Sequence, residues 1–325
     1  MRKGIAVAGT VLVDKINVIK AYPNSGNLTK ILSLEKSTGG NIPNVGIDLK
    51  KICSDITVYA IGRIGNDDDG RFVSNTLKDN GLDVSGLTLS KTENTSFTDV
   101  MSVVGGERTF FTYMGACGEF GYNDVDFDTL SAKMLHLGYF LLLDKIDQGD
   151  GEKILKKAQE LGIKTSIDVV SENSDRYKVV IPCLKYTDNL IINEIEASKI
   201  AGIEFNGKNL KDIAKRLLDF GVKERVIIHL PSYAVCLNKN GNFTIVPSLE
   251  IPKDFIKGTT GAGDAFCAGA LYSIYNECAD IEILEFASMC AGVSLRTVDA
   301  VSGLTSKEEI VEISKQFKRK NVGEF

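Results

Sequence analysis

Histidine is scarce in this 325-residue chain: there are two, His136 and His229, each inside an apolar run that reads as a strand. A histidine-based metal centre or a Ser-His-Asp triad would have to be built from one of them. No partner motif lies nearby, so both read as packed strand residues. The seven cysteines, at 53, 117, 183, 236, 267, 278 and 290, are odd in number and never form a C-x-x-C pair. That argues against a zinc or redox motif and for buried thiols in a reducing compartment. No apolar run approaches the roughly 20 residues needed to cross a bilayer, and the start has too short an apolar core for a signal peptide. Basic charge is not in excess, since 38 Lys+Arg against 43 Asp+Glu leave a net −5. Neither nucleic acid nor an anionic membrane is therefore an expected partner. There are no internal repeats, low-complexity tracts or linkers. These absences describe a cytoplasmic protein whose catalysis, if any, rests on carboxylates, backbone amides and a bound metal.

What is present is an alternation. Apolar Val/Ile-rich runs over 5–9, 56–61, 134–137, 164–168, 189–192 and 225–229 read as buried strands. Helical patterns over 43–53, 69–80, 151–161, 209–220, 263–275 and 281–297 separate them. This predicts an α/β fold: a doubly wound, mainly parallel sheet with helices on both faces. With 43% hydrophobic residues and no clean cut, residues 1–325 read as one domain. Two stretches, about 10–34 and 92–113, break the rhythm. The second alternates Thr95-Ser-Phe-Thr-Asp-Val-Met-Ser-Val-Val104, turns at Gly105-Gly106 and returns as Arg108-Thr-Phe-Phe-Thr-Tyr113. That is hairpin chemistry, and it predicts a small antiparallel β lid over the carboxyl edge of the main sheet. The tail over 306–320 reads as an amphipathic helix with an acidic start and a basic end.

The most informative stretch is Gly258-Thr-Thr-Gly-Ala-Gly-Asp-Ala-Phe-Cys-Ala-Gly-Ala270. Gly261, Ala262 and Gly263 permit a tight turn and leave unpaired N–H groups at a helix start, an anion hole suited to phosphate. Asp264 stands at its mouth, where a carboxylate can take a proton from an attacking hydroxyl, as phosphoryl transfer requires. An acidic residue that merely favours the helix dipole fits the same spacing. Near the N-terminus, Gly39 and Gly40 precede Asn44 at a helix start, and Asp14 follows a strand end. Short amides and carboxylates beside exposed backbone suit a polyol pocket at the carboxyl ends of strands.

Together these residues resemble the ribokinase (PfkB) family of carbohydrate kinases, over nearly the whole chain. Gly39-Gly40-x-x-x-Asn44 is similar to its N-terminal signature and Thr259-Thr-Gly-Ala-Gly-Asp264 to its C-terminal one. Asn193-Glu-Ile-Glu196 resembles its N-x-x-E motif, and the run from Gly106 to Ala116 its lid strand. The resemblance implies transfer of the ATP γ-phosphate to a sugar hydroxyl, with Asp264 as base and the amides of Gly261, Ala262 and Gly263 as anion hole. It implies nucleotide contacts from Asn193, Thr259, Gly261 and Gly263, and Mg²⁺ held by Asn193 and Glu196, directly or through water. Asp14, Gly39, Gly40 and Asn44 would carry the acceptor's hydroxyls.

Departures from the pattern qualify this. Gly258 stands where members commonly carry an Asp of a monovalent-cation site, which puts K⁺ activation in doubt. Pro231 and Ala234 replace glycines of a leucine-glycine-x-x-glycine element. Proline has no N–H to give a phosphate, and alanine tolerates positive φ poorly. The arginines that members use to pair sugar acids are missing at Tyr113-Met114 and after Asp168, which argues against an acidic substrate. Arg108 is a candidate anion contact, although a cross-strand pair suits it as well. Phe110, Phe111 and Tyr113 can stack on a furanose or a nucleobase. The alternatives are thus a nucleoside kinase of the same family and a non-catalytic sugar-binding relative with a degraded nucleotide site. Lid strands with free edges also make a homodimer an expected assembly.

Overall fold

The structure, a computed structural model, describes residues 2–322. Its strands are β1 Ile5–Ala8, β2 Leu12–Ile19, β3 Ile31–Gly39, β4 Val58–Ile64, β5 Asp83–Leu89, β6 Phe97–Val103, β7 Arg108–Tyr113, β8 Met134–Phe140, β9 Lys164–Val169, β10 Asn189–Asn193, β11 Arg225–His229, β12 Tyr233–Asn238 and β13 Phe243–Pro247. The helices are α1 Asn41–Ile52, α2 Asp68–Asp79, α3 Gly115–Gly118, α4 Gly151–Glu160, α5 Ile181–Leu184, α6 Glu194–Ala201, α7 Leu210–Asp219, α8 Ala262–Tyr275, α9 Asp280–Ser294 and α10 Lys307–Ser314. Nine strands form one sheet in the order β13-β12-β11-β10-β9-β8-β1-β4-β5. Seven of them, from β5 to β11, run parallel, and β12 and β13 add antiparallel to that edge. The expected doubly wound, mainly parallel α/β architecture is what the chain adopts.

Six of the seven parallel strands are largely buried because helices cover both faces, whereas the edge strand β5 carries only exposed and half-buried residues. Ile5, Val7, Val58, Leu135, Ile167, Leu190 and Val226 have no exposed surface. The antiparallel edge, which the strand pattern did not predict, begins with a turn at 230–232 closed by the Leu230 N–H donating to the Tyr233 carbonyl at 2.9 Å.

A separate four-stranded sheet has the order β3-β2-β6-β7. Its two hairpins are antiparallel, as the alternation predicts, but β2 and β6 join them side by side in parallel. Strand β3 also reaches Gly39, beyond the predicted insertion boundary at 34. One face of this sheet rests on α2: Lys15 and Lys36 both clamp Asp69, at 2.8 and 2.6 Å, and Lys36 lies over the Phe72 ring. The run Asp67-Asp-Asp69 is a helix start, with Asp67 capping α2 through the Gly70 N–H at 2.8 Å.

The tail departs from expectation. Helix α10 stops at Ser314, and the basic stretch after it is extended: Glu250 N–H donates to the Lys318 carbonyl and Lys320 N–H to that of Ser248. All seven cysteines are free thiols and five are buried. Among the described residues no helix is long and apolar enough to cross a membrane.

Candidate active site

Helix α8 opens at the carboxyl edge of the large sheet. Gly261, its N-cap, has φ 78°, and a Cβ there would lie 2.6 Å from the backbone of Ala300, so both conformation and space demand glycine. Asp264 falls three positions on and is 8% exposed. Asn44, from the first turn of α1, donates its Nδ2 to Asp264 Oδ2 at 2.9 Å. The Tyr139 hydroxyl lies 2.9 and 3.0 Å from the two Asp264 oxygens. A phenol has one proton, so it serves one oxygen at a time. Burial pushes the Asp264 carboxyl up to about 7, Asp168 adds to the rise, and the hydrogen bonds from Tyr139 and Asn44 oppose it. A carboxyl so placed is half ionised near neutrality, which suits a general base. Asn44 Oδ1 is buried with no partner in the protein. An orphaned acceptor beside a base offers a place for a ligand's hydroxyl.

Tyr139 was not among the sequence candidates. It sits near the end of β8 with φ 59°, a strained conformation for a residue with a Cβ. Its N–H donates to Asp168 Oδ1 at 2.6 Å, so one residue ties two carboxylates together. The only trace of this in the sequence is an aromatic hydroxyl just after Gly138 at a strand end.

A cavity of about 250 Å³ opens beside Asp264, lined by Tyr139, Asp168, Ser171, Asn193, Glu196 and Gly263 among others. Asn193 and Glu196 form a capping box at the start of α6. Asn193 Oδ1 accepts from the Glu196 N–H at 2.9 Å, and Glu196 Oε2 accepts from the Asn193 N–H at 3.0 Å. Ser171 Oγ donates to Glu196 Oε1 at 2.8 Å. Burial raises the Glu196 carboxyl to about 7. Asn193 Oδ1 and each Glu196 oxygen accept one hydrogen bond here and keep a spare lone pair. The pair therefore fits a cation held directly or through water.

A second, apolar cavity of about 500 Å³ shares Asn193, His229 and Gly263 with the first. Thr259, Leu249, Ile256, Phe266 and Leu295 line it, and one polar group in it, Ser288 Oγ, is buried without a partner. Burial holds His229 neutral, with its pKa lowered to about 4, and its ring stacks 4.7 Å from Phe266. The Ala262 N–H closes a turn onto the Thr259 carbonyl at 3.3 Å. Of the candidate anion-hole donors at this helix start, the amides of Gly261 and Gly263 have no backbone acceptor, and that of Asp264 joins them.

The small-sheet candidates divide. Asp14 lies against Gly39, where a Cβ would sit 2.3 Å from Asp14 Oδ2. Burial raises Asp14 to about 6. Gly40 caps α1, the helix that carries Asn44. In register, Asp14 is level with Thr98 and Thr112, whereas Tyr113 is level with Phe97 and Val13 on the opposite face. Tyr113 donates to Glu93 at 2.5 Å and packs on Phe97 at 5.4 Å. Arg108 shares the Asp14 face but pairs with Ser102, four residues or about 13 Å along the strand from Asp14, and is exposed. Neither cavity is lined by Asp14, Gly39, Gly40, Asn44, Arg108 or Tyr113.

The departures at the nucleotide side also have definite places. Pro231 lines the apolar cavity at the β11–β12 turn, and its carbonyl accepts from Lys320 Nζ at 2.8 Å. Ala234 is a buried strand residue without positive φ, so the expected strain does not arise. At Gly258 a Cβ would lie 2.9 Å from the Thr297 carbonyl, so this backbone leaves no room for the Asp of the family pattern.

Residues 3–307 match the family described as pfkB family carbohydrate kinase. A probable chloroplastic fructokinase-6 of Arabidopsis thaliana is 25% identical over 94% of this chain and 80% of its own length. A 5-dehydro-2-deoxygluconokinase of Clostridium perfringens is 24% identical over 97% of this chain and 93% of its own. Among solved structures, an Arabidopsis thaliana ribokinase complexed with ribose and ATP superposes with a TM-score of 0.84 at 20% identity, covering 97% of this chain and 99% of that one.

Proposed function

The chain belongs to the pfkB family of carbohydrate kinases, and from that premise we propose that it transfers the γ-phosphoryl group of ATP to a hydroxyl of an uncharged sugar. The observation that carries this reading is the triad of Asp264, Asn44 and Tyr139 beside an orphaned acceptor. An acceptor hydroxyl entering there donates its proton to Asp264, while Asn44 Oδ1 accepts from a neighbouring hydroxyl of the same sugar. Asn44 Nδ2 holds the carboxylate in register, and the Tyr139 hydroxyl yields one Asp264 oxygen to the incoming group. The amides of Gly261, Gly263 and Asp264, with the dipole of α8, stabilise the transferring phosphoryl group. The apolar cavity suits a nucleobase, with the Ser288 hydroxyl as its polar handle; the relative solved with ATP supports this. Glu196 and Asn193 would hold Mg²⁺, directly or through water, and the ion would supply neutralisation of the phosphate charge. With no carboxylate at 258, turnover does not require K⁺.

The small sheet acts as a lid that brings Asp14 over the sugar, and two chains pair through its free edges in a homodimer. Free cysteines support a reducing compartment, and the reading is a cytoplasmic enzyme. A nucleoside acceptor is the second reading, favoured by the exposed Phe110 and Phe111 and by fold likeness to an archaeal nucleoside kinase.

ADP release over ketoses, pentoses, sugar acids and nucleosides, with Mg²⁺ and with or without K⁺, tests the reading. Turnover on a neutral polyol that vanishes in Asp264→Asn supports it. Silence across the panel despite sugar binding would make the chain a binding protein.

A further inference from the structure

Behind the polar cavity, three side chains from three elements converge: His136 of β8, Asp168 of β9 and Cys267 of α8. All are buried, and one ligand atom from each lies within 4.8 Å of the others. His136 Nε2 is 3.3 Å from Asp168 Oδ2 and 3.6 Å from Cys267 Sγ. A tetrahedral zinc, with nitrogen and oxygen at about 2.0 Å and sulfur at about 2.3 Å, has N–O and N–S edges of about 3.3 and 3.5 Å. The cluster already has those edges. We propose that His136, Asp168 and Cys267 form a three-ligand site for a thiophilic divalent cation of the zinc class.

Four features support it. The donor set of imidazole, carboxylate and thiol suits Zn²⁺ or Co²⁺ and is wrong for Mg²⁺ or K⁺, which take oxygen. Both oriented ligands have their other atoms tied: His136 Nδ1 lies 3.0 Å from Ser166 Oγ, and Asp168 Oδ1 accepts from the Tyr139 N–H. Such outer contacts fix ring tautomer and ligand direction. The charges close, because a dication with one carboxylate, one thiolate and a neutral imidazole is neutral, as a buried site requires. On loading, the Cys267 S–H bond breaks, its electron pair goes to the metal and its proton to solvent. Finally, Asp168 and Cys267 both line the 250 Å³ cavity, which gives the ion an entry path and a fourth position open to solvent or ligand.

The consequence is regulatory. Asp168 holds the Tyr139 backbone and Tyr139 holds Asp264, so a bound metal reaches the base through one residue. A thiophilic metal then inhibits phosphoryl transfer reversibly, and a chelator restores it. That consequence rests on the kinase reading; metal uptake does not, so the two fail separately.

The test uses Co²⁺ and the whole chain, stripped of metal and kept reduced. The expected result is one Co²⁺ per chain with tetrahedral d–d bands and a thiolate charge-transfer band, displaced by one equivalent of Zn²⁺. Cys267→Ser should abolish the charge-transfer band and weaken binding at least about tenfold, and a Cys53→Ser, Cys278→Ser double variant should keep both. A band that survives Cys267→Ser, or no stoichiometric uptake, overturns the site. X-ray absorption on the unmutated Zn²⁺-loaded protein decides the matter if the variant does not fold. One sulfur at about 2.3 Å with nitrogen and oxygen at about 2.0 Å agrees, and a shell without sulfur refutes the proposal, leaving His136 and Cys267 as a hydrogen-bonded brace for Asp168.

Discussion

In the nine-stranded sheet Leu135, Ile167, Leu190 and Val226 keep none of their surface, whereas in the four-stranded sheet Leu34, Phe110 and Phe111 keep 70, 62 and 55% of theirs. The residue types are alike, so propensity does not separate the two. What differs is the number of faces covered. Helices close both sides of the large sheet, while the small one has α2 beneath one face and a free edge at each end. The candidate site residues follow this division: Asp264, Tyr139, Asp168 and Glu196 belong to the large sheet and its helices, and the small sheet contributes the half-buried Asp14.

The sharpest break of this contrast is on the large-sheet side. Asp264→Asn keeps the shape of the side chain but removes its basicity, and turnover should fall about 10²–10⁴-fold while circular dichroism stays native. Leu190→Ala, whose side chain lies between Ile167 and Val226 in register, should cost about 2–5 kcal/mol in denaturant unfolding. Asp48, buried in α1 with neither carboxylate oxygen partnered, has its carboxyl driven up by burial and by Asp264. Asp48→Asn should therefore raise stability at neutral pH, by about 1 kcal/mol, read from the same unfolding curves. At the small end, Phe110→Ser should change monomer stability by no more than about 0.5 kcal/mol and act on self-association alone, read by light scattering.

A stability profile sharpens the same comparison. Burial raises Asp14 to about 6 and both Asp264 and Glu196 to about 7. Below the ordinary carboxylate range these groups are protonated folded or unfolded. Between that range and about 7 the unfolded chain sheds protons that the folded one keeps, so stability falls as pH rises. Thermal melts should drop from mildly acidic to neutral pH, and Asp264→Asn should flatten part of the slope.

Much of this was legible beforehand. Val/Ile runs bounded by helical patterns mark six of the seven parallel strands, because a strand covered on both faces has no polar side to interrupt it. The partly exposed edge strand β5 has no such run and was missed. The pair Asp264 and Asn44 was legible from two glycine-flanked motifs 220 residues apart. The antiparallel edge was not, since the turn at 230–232 that joins β11 to β12 carries no glycine to signal a hairpin. Tyr139 and Asp168 were invisible as partners because Tyr139 belongs to no local motif and Asp168 was marked only by the arginine missing after it. Their roles come from the register of β8 against β9, where Phe140 pairs with Val169 only after a shift. The magnesium candidates Asn193 and Glu196 were found by pattern, but that they cap α6 reciprocally appears only in the coordinates.

In the proposed reaction Asp264, held near neutrality by burial and steadied by Tyr139, takes the acceptor's proton. The pH dependence of kcat/KM, for the unmutated chain and for Tyr139→Phe, tests it most directly. The rate should rise through an inflection near 7, and removing the Tyr139 hydrogen bond, which favours the ionised form, should move that inflection to higher pH. A rate flat across neutrality, or an inflection that Tyr139→Phe leaves in place, would contradict the assignment.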